Sequence, residues 1–244
     1  MKNMKPETRR RILCALDTTD VDQASALVPA LAPHVGGVKL GLEFFGACGP
    51  QGVARVTRAG TPVFLDLKLH DIPNTVAKAI RALVPLKPFM MTVHTSGGPE
   101  MLKAAAKAAQ GAAAEHGVPR PLIVGVTILT SLNEDDLAAI GISGKVGPQV
   151  ERLANLAEAC GLDGVVCSPH EIATLRRSCG ANFTLVVPGI RPAGADVGDQ
   201  KRVMTPPEAV ALGADYLVIG RPITEAADPA SAAATIEASL CEIV

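Results

Sequence analysis

Two acids, a lysine and a histidine crowd the end of an otherwise apolar run in the segment DLKLHDIPNTV, from Asp66 to Val76. The residues before it, Thr61 to Leu65, read as a short buried strand, and side chains two apart on a strand share a face. Asp66 and Lys68 therefore look to one side, into a cavity, while Leu67 and Leu69 pack on the other. Charge in such company is costly unless it is paired, so this spacing suggests a built site. Opposite charges set side by side in this way keep an ammonium protonated and its carboxylates ionised. Asp71 follows at the strand's exit, and Pro73 and Asn74 mark the turn into a helix.

Other polar residues recur at the ends of apolar runs: Asp17 after the first, Lys39 within the second, Thr130 and Ser131 after the fifth, Pro188 and Arg191 after the seventh, Gly220 and Arg221 after the eighth. Lys39, Asp66, Lys68 and Asp71 would form an alternating array in which opposite neighbours favour the charged forms. Gly220 permits close backbone approach, and Arg221 offers a fork of donors suited to a phosphate dianion. Between Arg191 and Thr205 lies a long polar loop, expected as a lid or a mobile surface excursion, from which Gln200 could reach a phosphate and a polar ligand edge if the loop folds down. His70 and His94 near the acids raise the question of a metal. Lys68 argues against one, because its ammonium takes the place a cation would fill.

The elements that must position these residues are eight strand-like runs: Ile12 to Asp17, Gly37 to Gly41, Val63 to Leu67, Phe89 to His94, Leu122 to Thr127, Gly164 to Cys167, Thr184 to Val187 and Tyr216 to Gly220. Helix-like stretches lie between them, among them Pro99 to Glu115, Val150 to Cys160, Pro169 to Cys179 and Pro207 to Leu212, with a last helix from Pro229 to Ile243. Alternating strand and helix implies an α/β fold with a parallel sheet covered on both faces. Eight units in a chain of this size fit a single closed (β/α)8 TIM barrel, whose chemistry gathers at the C-terminal ends of the strands. An open doubly wound sheet would want a glycine fingerprint after the first strand, and Leu16-Asp17-Thr18-Thr19 has no glycine.

The bulk properties agree. The chain has 244 residues, 48% of them hydrophobic, and a mean hydropathy of +0.28, enough for one large core. One domain spanning residues 1–244 is expected, with residues 1–10 as a flexible basic tail. A net charge of -1 gives no field for nucleic acid or an anionic membrane. No apolar stretch nears the roughly 18 residues that span a bilayer, and Ile12 to Leu16 meets Asp17 too early for a signal-peptide core. Six scattered cysteines lack metal or redox spacing and read as reduced thiols of a cytoplasmic protein.

Taken together, these motifs closely resemble the orotidine 5'-phosphate decarboxylase family. The resemblance runs through ALD ending at Asp17, VKLG around Lys39, the Asp66 to Val76 block, VTILTS ending at Ser131, VPGIRP from Val187, DQKRVMTP from Asp199 and GADYLVIGRPIT from Gly213. It implies conversion of orotidine 5'-monophosphate to uridine 5'-monophosphate and carbon dioxide in de novo pyrimidine biosynthesis, with neither metal nor cofactor. It also implies a homodimer with active sites at the interface, so that Asp71 and Thr75 enter the partner's site. By the same resemblance Lys68 is the proton donor, flanked by Asp66 and Asp71. Asp17 and Lys39 hold ribose hydroxyls, Thr130 and Ser131 lie against the pyrimidine, and Arg191, Gln200, Gly220 and Arg221 take the phosphate region, with Pro188 in the same VPGIRP segment. Two alternatives stay open: a related magnesium-dependent barrel acting on sugar phosphates through a similar Asp-x-Lys-x-x-Asp motif, and a non-catalytic phosphometabolite-binding barrel.

Overall fold

The computed structural model describes residues 8–192 and 204–241. Eight parallel strands, β1 (Ile12–Ala15), β2 (Gly37–Leu40), β3 (Val63–Leu69), β4 (Met90–His94), β5 (Leu122–Val126), β6 (Gly164–Val166), β7 (Thr184–Val187) and β8 (Tyr216–Ile219), pair in sequence order. The sheet closes where β1 pairs with β8. All eight expected strands are present, and the (β/α)8 architecture is the one the sequence indicates. β3 runs two residues beyond its expected end, which carries Lys68 into the strand itself.

The principal helices are α1 (Val21–Leu31), α2 (Leu42–Thr57), α3 (Pro73–Leu83), α4 (Gly98–His116), α5 (Glu134–Ala139), α6 (Val146–Ala159), α7 (Ile172–Cys179), α8 (Pro206–Leu212), α9 (Arg221–Thr224) and α10 (Pro229–Cys241). Their starts follow local chemistry. Asp20 caps α1 by accepting the N–H groups of Asp22 and Gln23, α3 opens on Pro73, and Thr205 and Glu208 form a reciprocal box at α8, each satisfying donors that a helix start leaves open. α3 buries Val76, Ile80 and Leu83, one stripe at helical spacing. It packs on the alanine-rich α4, whose small side chains permit close approach. α6 begins four residues before its expected start, and the segment expected as helix from Pro169 opens instead with a 3-10 turn, Pro169–Glu171. Another 3-10 turn, Thr8–Arg11, precedes β1, and Arg11 reaches the Ala214 carbonyl at 3.0 Å. The segment expected as a tail through residue 10 is therefore built from Thr8 onward.

Burial divides every strand into two faces. Val63 and Leu65 join the large core between sheet and helices, with Leu67 and Leu69 packed against it, while Phe64 belongs to a small interior cluster with Leu13, Met90, Val124 and Val186. This alternation is the period of two that a pleated strand imposes. Continued toward the mouth, the inward series are 13, 15, 17 in the first unit, 37, 39, 41 in the second and 64, 66, 68 in the third. The interior is close at the other end too: a Cβ at Gly164 would lie 2.1 Å from the Thr184 carbonyl oxygen.

The closed end carries two charged clamps. Arg176 donates to the carbonyls of Gly213 (2.8 Å from Nε) and Gly180 (3.0 Å) and pairs with Asp215, whose carboxylate also accepts the Leu185 N–H at 2.9 Å. Arg120 pairs with Asp163 at 2.9 Å, and Asp163 accepts the Ile123 N–H at 2.7 Å.

Candidate active site

Three adjacent strands deliver a chain of opposite charges across the barrel mouth. Lys39 Nζ, inward on β2, lies 3.2 Å from Asp17 and 3.8 Å from Asp66. Asp66 Oδ2, inward on β3, takes the Lys68 ammonium at 2.8 Å. Asp66 and the Lys39 side chain are nearly sealed from solvent, with side-chain exposures of 11% and 12%. Attraction at such distances is strong where water is excluded. Gly41 leaves the room: a Cβ there would meet Lys39 Nζ at 3.0 Å.

Lys68 stands on unusual backbone. Its φ is 51°, a left-handed conformation that costs a non-glycine residue about 1–3 kcal/mol. The β3/β4 register slips at the same place: Leu65 pairs with Met91, but Leu69 pairs with Val93. Strand irregularities of this kind re-aim side chains beside active sites. Opposite the slip stands Thr92, 1% exposed. Its hydroxyl accepts the Lys68 N–H at 2.8 Å and donates to Asp66 Oδ1 at 3.0 Å. Thr92 is the member of this constellation that the sequence motifs did not single out.

Two cavities open beside the array. One of about 450 Å³ is lined by Asp17, Lys39, Pro188, Arg191, Gly220 and Arg221, among others. Another of about 170 Å³ is mostly apolar and is bordered by Lys39, Asp66, Lys68, Ile128, Thr130 and Pro188. Most of the expected site residues thus converge. Arg191 is buried and donates to the Ile190 carbonyl at 3.0 Å, and the adjoining Gly189 has φ 76°, which suits glycine. Ser131 is exposed and borders neither cavity.

Asp71 and Thr75 also stand apart, in a stretch exposed from His70 through Thr75. The Asp71 carboxylate accepts the Ile72 N–H at 2.6 Å, and among the described residues the ion-pair series runs from Asp17 to Lys68. Gln200 and most of the expected lid lie outside the described residues.

His70 and His94 pack at the rim with ring centroids 5.4 Å apart. Burial chiefly, then His70 and Lys68, holds the His94 pKa below its ordinary value, with Asp66 opposing. On the outward face of β1, burial and then the nearby Asp17 push the Cys14 thiol up to about 12. Among the described residues no group of three or more His, Cys, Asp or Glu side chains is placed to hold a metal ion, and no helix is long and apolar enough to cross a membrane.

The geometry offers an ammonium aimed into a largely apolar cavity, with arginine and glycine at one side of a larger polar one. Residues 10–236 match the family model described as Orotidine 5'-phosphate decarboxylase / HUMPS family. The chain is 53% identical to orotidine 5'-phosphate decarboxylase of Rhodospirillum rubrum, over 96% of this chain and 95% of that protein. It is 52% identical to the enzyme of that name from Moorella thermoacetica, over 97% and 94%. The crystal structure of orotidine 5'-phosphate decarboxylase from Lactobacillus acidophilus superposes with a TM-score of 0.83 at 37% identity, covering 95% of this chain and 99% of that one. Matched along nearly its whole length in sequence and in fold, the chain belongs to the enzymes of the orotidine 5'-phosphate decarboxylase / HUMPS family.

Proposed function

We propose that this protein, a carbon–carbon lyase, converts orotidine 5'-monophosphate to uridine 5'-monophosphate and carbon dioxide in de novo pyrimidine biosynthesis, with Lys68 as proton donor and with no metal or cofactor. The observation that carries the reading is the Lys68 ammonium held on Asp66 at 2.8 Å beside a cavity of about 170 Å³.

Breaking the bond from C6 of the pyrimidine to the carboxylate leaves the electron pair on C6, in an sp2 orbital without a cofactor to accept it. Catalysis then has to supply something toward the upper part of the roughly 8–23 kcal/mol by which enzymes lower barriers. A fixed ammonium stabilises charge growing at C6 and then gives that carbon its proton; the neutral amine left behind regains a proton from water. Asp66, facing the departing carboxylate, opposes it more in the ground state than in the transition state, while preorganised stabilisation by Lys68 is the larger contribution.

Asp17 and Lys39 take the ribose hydroxyls in this arrangement. Thr130, which borders the smaller cavity, lies against the pyrimidine, Ser131 joins it on the strength of the family resemblance alone, and Pro188, Arg191, Gly220 and Arg221 surround the phosphate. Gln200 joins them on the strength of the family resemblance. Two copies of the chain form a dimer in which Asp71 and Thr75 of each reach the other's site. This is consistent with the exposure of residues 70–75 and with Ile72, 66% exposed at the centre of that stretch. A cytoplasmic location fits the substrate and the four buried free thiols.

The deciding experiment follows the ultraviolet absorbance of orotidine 5'-monophosphate mixed with EDTA-treated protein, beside a Lys68→Ala control. Metal-free turnover that the control lacks supports the decarboxylase and its donor together. Turnover only after magnesium is restored, or none, transfers the site to sugar-phosphate chemistry or to binding alone.

A further inference from the structure

We infer that Thr92 is the positioning residue of this site, the single hydroxyl that fixes both the Lys68 backbone and the Asp66 carboxylate; its catalytic consequence rests on the decarboxylase reading above. Between Leu65 and Leu69, β3 carries three residues, whereas β4 carries only Thr92 between Met91 and Val93. A ladder interrupted in this way leaves backbone groups in want of partners, and buried polar groups go unpaired only at a cost. The Thr92 side chain takes over that role, accepting the Lys68 N–H at 2.8 Å.

The proton order is then fixed by the partners. An amide can only donate its hydrogen and a carboxylate can only accept one, so the hydroxyl hydrogen must go to Asp66 Oδ1, 3.0 Å away. That bond leaves Oδ2 turned to the lysines, 2.8 Å from Lys68 and 3.8 Å from Lys39. Thr92 thereby joins two things that must agree: a left-handed backbone at Lys68, with φ 51°, and the orientation of the carboxylate that holds its ammonium. At 1% exposure the hydroxyl meets little competition from water.

Thr92 touches the acid and the lysine rather than the substrate, so its loss should lower kcat more than it weakens binding. Misplacement on the order of 1 Å costs about 100-fold in rate. Thr92→Val keeps the shape and removes the hydroxyl, and it is expected to lower kcat by about 10- to 100-fold. Its affinity for uridine 5'-monophosphate should stay within about threefold of the parent, and Thr92→Ser should restore kcat to within about threefold. Amide exchange at Lys68 should quicken in Thr92→Val and remain slow in Thr92→Ser. Should the valine variant not fold, Thr92→Ala carries the same expectations.

Unchanged kcat in Thr92→Val, a serine variant as slow as the valine one, or equal losses of product affinity and kcat would each overturn the inference. Exchange at Lys68 separates the two claims. A parent protein inactive toward orotidine 5'-monophosphate sinks the reaction, while unaltered exchange in Thr92→Val sinks the anchor.

Discussion

Asp66→Asn is the substitution that most directly tests whether the charge array both holds the mouth together and drives the reaction. The amide keeps the shape of the carboxylate but removes the negative charge 2.8 Å from Lys68 and 3.8 Å from Lys39. Removing one partner of a fully buried ion pair costs about 3–5 kcal/mol, because the other charge is stranded. Here both lysines have some relief. The Lys68 side chain is 30% exposed and can turn toward water, and Lys39 retains Asp17 at 3.2 Å. The expected cost is therefore about 2 kcal/mol, which for a chain of this size lowers the thermal midpoint by roughly 4–8 °C. Turnover should fall much further, by about 100-fold or more, since the ammonium is no longer held in place. Thermal unfolding and absorbance-monitored turnover, measured in one buffer, read the two effects separately. A midpoint at or above that of the parent would show that the array costs more in desolvation than it returns. Normal turnover would refute the role given to Asp66.

At the closed end, Arg176→Met strands Asp215 and several carbonyl groups, so the midpoint should fall by roughly 6–12 °C while kcat stays within about twofold of the parent; a large change in kcat with little loss of stability would contradict the separation of the two ends. For His94 the folded pKa lies below the ordinary 6.5, so the unfolded chain gains the proton first. The stability tied to neutral His94 is full above that pH and is lost as pH falls toward the lowered folded value. His94→Gln should flatten this slope in urea unfolding between about pH 7 and 5, and an unchanged slope would assign the dependence elsewhere. Mixing inactive Lys68→Ala and Asp71→Ala proteins should regenerate activity through hybrid dimers containing one intact site. No recovery despite demonstrated subunit exchange would place Asp71 outside its neighbour's site.

The eight strands were legible because each is a short apolar run closed by polar or turn residues, and the shared face of Asp66 and Lys68 followed from the period of two alone. α2 is harder to read: its segment Gly46-Ala47-Cys48-Gly49-Pro50 carries helix breakers, and the chain does depart from helical geometry at Gly49, where φ is 58°. Thr92 escaped notice for a different reason. Threonine is an ordinary strand former, and nothing in Met90-Met91-Thr92-Val93-His94 distinguishes an anchoring hydroxyl from a half-buried one. The left-handed backbone at Lys68 is equally silent, since glycine is the residue that advertises such a conformation. Thr130 and Ser131 both follow β5, yet only Thr130 borders a cavity, because proximity to a strand end does not say which of two successive loop residues turns inward.

The two-faced strands have an evolutionary consequence. On β3 the residues that anchor the helices, Val63, Leu65, Leu67 and Leu69, interleave with those that face the mouth, Asp66 and Lys68, yet the two sets touch different surroundings. Substitutions that explore new chemistry at inward positions leave the outer packing intact, and drift in the outer layer spares the charges. Selection can therefore act on helix packing and on the charged mouth through different residues of one heptapeptide. A scaffold with that partition can accumulate stabilising changes first and afterwards tolerate the destabilising ones that a new substrate demands.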